Sequence, residues 1–345
     1  MKQSSNNPTT NCLSSGIDEI AVSLAVERSG YPLQTIVGGL LREKKFYVQE
    51  EWGYIDRTSK ELRAIDLWAQ YEPYNVKEQP RVRPHLNLLI ECKQSALPYI
   101  FFISAVKPVI LDFPTIAGLR TKNITVSTDD SPSSWTMGIP HVLELHTHPF
   151  FKSPEYCVSF SKCVRKGAEL ELSGSDPYNS LILPLLKSIL HFQEDATPVT
   201  TALYFDAHLT LAIGVVDAPM VGVYVNKNSN ELILLPWVRV LRHEYFEEED
   251  RWERSRISVV DVVHKDYFQV YLDNSLLPFA EHYGTLVLKN QQVLAGGEAF
   301  VSGMEKDCFN NIQMRLEPKD LSKSLKRTTA IGKRILRPFN RKEKH

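Results

Sequence analysis

The sequence has no apolar run near the roughly 18 residues that a membrane-spanning helix needs. Its polar start, MKQSSNNPTTNCLSSG, lacks the apolar core of a secretory signal. Cysteine is scarce: five residues, at positions 12, 92, 157, 163 and 308, an odd number at wide spacing. A disulfide framework is therefore not expected, and reduced thiols in a cytoplasmic protein are. There is no Walker A string and no Gly-x-Gly-x-x-Gly, so a built-in nucleotide motor is not expected. No internal repeat is visible. Net charge is also lacking: 40 Lys and Arg against 41 Asp and Glu leave −1, which does not announce a polyanion binder.

What is present is ordinary globular material, 43% hydrophobic and 23% charged over 345 residues. That length suits two domains or one elaborated α/β domain. The charge is unevenly placed. Arg315 to His345 holds eleven Lys or Arg against three Asp or Glu, a net +8, so the rest of the chain carries −9. A basic C-terminal arm on an acidic body suits a polyanion such as DNA, although a solubilising tail would look the same.

Residues 1–15 read as disordered. Helical periodicity follows at 17–29 and at 33–45, where Leu33, Ile36, Val37, Leu40 and Leu41 mark one face. Strands are expected at 46–55, 61–71, 85–93 and 99–105, with a Pro-rich loop over 72–84. A Ser/Thr/Asp-rich loop is expected at 125–135. Residues 178–193 read as a helix kinked at Pro184. Apolar runs at 199–206, 209–217, 220–226 and 231–240 suggest a β-meander. Mixed structure is expected over 257–273 and 283–294. Helices and strands in this order imply an α/β or α+β fold.

Residues 61–98 carry the most chemistry. Side chains alternate along a strand, so Asp66 shares a face with Ala64 and Trp68, and Glu91 shares one with Lys93. If the two strands are neighbours, the three charges converge at the end of an apolar sheet. Two carboxylates and a strand carbonyl are hard oxygen ligands suited to Mg²⁺ or Mn²⁺. A lysine beside them could manage the attacking water or stabilise phosphorane-like charge. Near a metal its pKa is expected to fall.

The skeleton Asp…Glu-x-Lys is common by chance; its context is not. ELRAIDLWA and LNLLIECKQSALPYIFF resemble the core of the PD-(D/E)XK nuclease superfamily, the restriction-endonuclease-like proteins. The upstream GYPLQTIVGGLLREKKFYVQEEWGYID is similar to the opening helix and first strand of those domains. The resemblance implies an αβββαβ core with a mixed central sheet. It implies Asp66 and Glu91 as metal ligands with the Cys92 carbonyl, and Lys93 as the catalytic lysine. It places Gln34 where many members carry a Glu that completes the site. Glu27, Glu43, Glu50 and Asp56 are candidates for a compensating carboxylate. The expected organisation is a disordered start at 1–15, an elaborated nuclease domain at 16–300 and a basic arm at 315–345. Within the domain the motif core spans 30–105, an insert about 106–175, and the completing helix and strands 176–300. The implied function is Mg²⁺-dependent hydrolysis of DNA phosphodiesters, with a homodimer or protein partner possible. The alternative is a catalytically inactive nuclease fold that binds nucleic acid or a partner.

Other features are weaker. His146, His148 and Pro149 resemble the start of the JAMM metalloprotease signature, but its downstream Ser-x-x-Asp is absent. His146, His148, Cys157 and Cys163 have zinc-ligand chemistry without a standard spacing. Ser173 to Asp176 reads as a helix cap, with a phosphate contact there as the other reading. Trp237, Arg239, Arg242 and His243 combine an aromatic with basic groups, as a nucleic-acid contact would. Cys92 reads as a small buried hydrophobe.

Overall fold

The structure, a computed structural model, describes residues 2, 4–104, 110, 113–128, 134–245, 255–301 and 311–319. The acidic run at 247–250 and most of the basic arm lie outside them. Two helices open the fold, α1 (Glu19–Arg28) and α2 (Tyr31–Glu43). Strands β1 (Tyr47–Ile55), β2 (Leu62–Tyr71), β3 (Val82–Gln94) and β4 (Tyr99–Ile103) follow. Next come β5 (Thr115–Ala117), β6 (Asn123–Thr128) and β7 (Ser134–Gly138), the short α3 (Ile139–Val142), β8 (Glu155–Lys166) and β9 (Glu169–Ser173). A turn of helix, α4 (Ser175–Pro177), leads into α5 (Leu183–Asp195), then β10 (Phe205–Asp217), β11 (Met220–Val225), β12 (Asn230–Leu234), β13 (Trp237–Tyr245) and β14 (Ser255–His264). The chain closes with α6 (Phe268–Tyr271), α7 (Leu277–Lys289), α8 (Gln291–Gly296), β15 (Glu298–Val301), α9 (Ile312–Arg315) and β16 (Leu316–Pro318).

Twelve strands form one mixed sheet in the order β1-β2-β3-β10-β14-β13-β8-β4-β11-β12, with β5 on β10 and β9 on β8. A smaller sheet runs β16-β15-β6-β7. β1, β2 and β3 are antiparallel neighbours, and β10 lies parallel to β3 from Phe205 opposite Val82 to Asp217 opposite Gln94. A parallel neighbour needs a crossover, and the path from β3 to β10 runs through α5. β3 and β10 are buried along most of their length, as central strands covered on both faces should be.

Two cores lie on the two faces of the sheet. One joins Leu33, Val37 and Leu41 of α2 and Phe279, Tyr283 and Val287 of α7 to Leu67, Leu88 and Ile90. The other joins Leu185, Leu186, Ile189 and Phe192 of α5 to Ile65, Leu89, Ala212 and Val260. α2 approaches the sheet closely at Gly38, where a Cβ would stand 3.5 Å from Leu67 Cδ2 and 3.4 Å from Glu50 Oε1. That approach explains a residue that costs helix stability elsewhere. Ile36, expected on the buried face, is exposed, and α1 buries none of its side chains. No helix among the described residues is long and apolar enough to cross a membrane.

Several expectations are corrected. The runs after 199 are no meander. β10 is one long strand inserted between β3 and β14, and β11 pairs with β12 in a hairpin. The expected loop at 125–135 contains the end of β6 and the start of β7. From the expected insert, β5, β8 and β9 belong to the large sheet. Residues 178–182 form a π-helical turn just before Leu183 and Pro184. Proline has no N–H to donate, so the wider turn sits where the helical ladder is already interrupted. The same device recurs at 272–276 before Leu277 and Pro278. The α4 N-cap is Gly174 and makes no side-chain cap bond, so the Ser cap is not formed.

The Trp237–His243 segment does not present its arginine to a ligand. Arg239 is fully buried and paired with Asp261 at 2.6 Å. Its guanidinium packs over Phe113 and Phe150, and Tyr271 donates to Asp261 at 2.9 Å. Arg242 lies over Tyr178, 4.7 Å from the ring centre. Arg239 thus joins β13 to β14 by its ion pair and reaches the 106–175 segment through Phe113 and Phe150.

Candidate active site

β2 and β3 pair in register from Tyr71 opposite Leu86 to Leu67 opposite Ile90. Asp66 and Glu91 are the next residue on each strand. Asp66 stands at a bend. Ile65 and Leu67 are two apart on one strand and should share a face, yet they belong to different cores. The face changes in β1 as well: Val48 packs with the α2 core, whereas Trp52 and Tyr54 join the α5 core. Glu51, opposite Asp66 in the hairpin, has φ +51°, a left-handed conformation uncommon for a non-glycine residue. Among the described residues, Asp66 has no partner in either ladder.

That bend aims the Asp66 side chain at β3. The Cys92 backbone N–H donates to Asp66 Oδ2 at 2.6 Å. The Asp66 carboxylate lies near enough to Glu91 to act on its charge. Lys93 Nζ donates to Glu91 Oε2 at 2.7 Å. Asp66, Glu91 and Lys93 therefore meet, as the sequence led one to expect. Gln34 of α2, 4% exposed, joins them differently: its Nε2 donates to the Asp66 main-chain carbonyl at 3.0 Å.

The electrostatics follow from two carboxylates and one ammonium in a mostly buried place. Burial pushes the Glu91 carboxyl up to about 7; Lys93 pulls it down and the Asp66 carboxylate adds to the rise. Burial alone would lower the Lys93 ammonium, but Glu91 and Asp66 outweigh it and raise it. In the metal-free site the two anions decide the direction for Lys93. Burial also raises the Cys92 thiol, which leaves it protonated and unsuited to nucleophilic work.

Gly214 of β10 lies opposite Glu91. A Cβ there would approach Leu181 Cδ1 to 2.8 Å, so the glycine lets the π-helical turn close over the strand beneath the site.

Tyr54 is the residue the sequence did not reveal. It is buried on the α5 face, and its phenol is pushed up to about 12, chiefly by burial, with Glu91 among the charges that add to the rise. Simple alternation from Val48 would have put it on the other face; only the bend at Glu51 brings it round. No local sequence signal marks that bend.

The compensating carboxylates do not assemble. Glu50 pairs with Arg42 at 2.6 Å, and Asp56 is held by Lys187 at 2.6 Å in the β1–β2 turn. Among the described residues no group of three or more His, Cys, Asp or Glu is placed to hold a metal. This includes the His146, His148, Cys157 and Cys163 set. His146 stacks on His141, and His148 stacks on His282 and contacts Phe279 of the α2 side. Cys157 is buried in the core on the α5 side.

A divalent cation nevertheless suits Asp66 and Glu91. Two neighbouring carboxylates, of which Glu91 is buried, are served by one ammonium, which bonds Glu91. Mg²⁺ is commonly held by one or two carboxylates plus waters and substrate phosphate, not by a full protein cage. No protein-family model, curated protein or solved structure matches the chain.

Proposed function

We propose that this chain is a Mg²⁺- or Mn²⁺-dependent nuclease of the PD-(D/E)XK type that hydrolyses phosphodiester bonds in DNA. The single observation that carries the reading is the meeting of Asp66, Glu91 and Lys93 at the bend of β2. The elements α2, β1, β2, β3, α5 and β10 follow one another in the order an αβββαβ core would need, with six strands and two short α-helices between β3 and α5. Isolated sheet-end charges would not require a strand to change face, nor a carboxyl to be buried with its pKa raised. Perturbed carboxyls of that kind mark sites where charge is used.

Asp66 and Glu91 would hold the cation, with the Cys92 carbonyl as a third oxygen. The bound ion would supply an acidified water and neutralise charge on the phosphate. Lys93, which donates to Glu91 at 2.7 Å, would orient the attacking water or steady charge on the phosphate oxygens. The basic arm, outside the described residues, would add backbone affinity without sequence preference.

The rival is a nuclease fold that binds nucleic acid or a protein without cutting. The 2.7 Å Lys93–Glu91 pair favours it, because Lys93 partly neutralises the carboxylates without a metal. Calorimetric titration with Mn²⁺ separates the two readings. The nuclease reading expects one site lost in Asp66→Ala and in Glu91→Ala, with Lys93→Ala binding at least as well. Absence of Mn²⁺ binding in the folded wild type would favour the rival.

A further inference from the structure

We infer that Gln34 is a positioning residue whose carboxamide N–H takes the place of a strand partner for the Asp66 carbonyl and so fixes the bend that presents the Asp66 carboxylate. The inference deepens the nuclease reading and rests on it for its catalytic consequence, though not for its structural one.

Three observations carry it. Asp66 lies between two ladders and has a partner in neither, so its peptide would otherwise lack the fixing that strand pairing gives. The Gln34 Nε2 donates to that peptide's oxygen at 3.0 Å from a helix anchored by Leu33, Val37 and Leu41. On its other side the same residue is held through its carboxylate, which accepts from the Cys92 N–H at 2.6 Å. Asp66 is thus clamped at main chain and side chain by α2 and β3, across the point where β2 changes face.

The clamp specifies the chemical type at 34. The group facing a carbonyl oxygen has to donate. A glutamine does; a glutamate of the same length would bring a carboxylate oxygen against the carbonyl in a mostly buried place. Gln34 is on this view an adaptation of the bend, not a weakened metal ligand.

The test compares wild type, Gln34→Met and Gln34→Glu by three readouts: amide hydrogen exchange at Cys92 against Ile213 of the central strand β10, Mn²⁺ affinity, and DNA cleavage at saturating Mn²⁺. The clamp predicts that Cys92 exchanges about tenfold faster or more in both variants while Ile213 is unchanged, as expected for a local opening. It predicts that both lose cleavage by about ten- to a hundredfold, as misplacement near the chemistry does, and that Gln34→Glu is no better than Gln34→Met. Tighter Mn²⁺ binding or equal cleavage in Gln34→Glu would overturn the inference and make position 34 a metal ligand. Unchanged Cys92 exchange in a folded Gln34→Met would overturn it as well. If Gln34→Glu does not fold, Gln34→Met decides by exchange alone. If the wild type neither binds Mn²⁺ nor cuts, the nuclease reading fails, and Cys92 exchange still decides whether Gln34 positions Asp66.

Discussion

The Cys92 N–H donates to Asp66 Oδ2 at 2.6 Å, one residue beyond the point where the β2–β3 ladder ends. A side chain has taken over a main-chain bond. The carboxylate is thereby fixed in the plane between two strands, beside Glu91, at the cost of a bend that a structural strand would not need.

Glu91 is buried at a cost in stability, and that cost is testable. In Glu91→Gln without metal, at about pH 8, the urea midpoint should rise, corresponding to about 1 kcal/mol or more in unfolding free energy once the buried charge is gone. Cleavage should be abolished in the same variant. A loss of stability with cleavage retained would make Glu91 an ordinary structural carboxylate.

Asp56 gives the acid response of the fold. Burial alone would raise its carboxyl, but Lys187 and the N–H groups of Thr58 and Ser59 hold it down at about 2. A carboxyl with a lowered folded pKa stabilises above its unfolded value of 3.8, and the contribution is lost as pH falls toward 2. Lys187→Met leaves Asp56 with Arg63 at 3.1 Å and should cost about 1.5 kcal/mol or more at neutral pH. It should also move the start of acid unfolding to higher pH, as read by far-ultraviolet circular dichroism. An acid limb that coincides with that of the wild type would remove Lys187 from the account.

The basic arm should act through counterions. Truncation after Glu317 removes ten of the eleven Lys and Arg between Arg315 and His345. The slope of log affinity against log salt for DNA should become shallower, by about 0.9 for each phosphate that the arm no longer neutralises, while cleavage persists. An identical slope would take the arm out of the interface.

The frame was legible because the segments that build it are strongly patterned. Period two in β1 and β2, a long apolar run in β3 and the Leu33, Val37, Leu41 stripe in α2 all read directly. The approach of Asp66, Glu91 and Lys93 was expected from the same alternation, but it is reached at the bend where that alternation breaks. What alternation hides is its own interruption: the face change between Ile65 and Leu67, hence Tyr54, depends on a left-handed Glu51 that carries no sequence mark. Sheet order was hidden for another reason. β10 pairs with β3 more than a hundred residues earlier, and short apolar runs do not record such distant partners.

The most direct measurement is a cleavage assay on supercoiled, linear and single-stranded DNA with Mg²⁺ or Mn²⁺. Wild type runs beside Asp66→Ala and Lys93→Ala, each checked for folding. Metal-dependent cleavage in the wild type that falls by about 10³-fold or more in both variants is the predicted result, the scale expected when a group acting on the reacting phosphate is removed. Folded wild-type protein that binds DNA but cuts none of the three substrates with either metal would contradict the account.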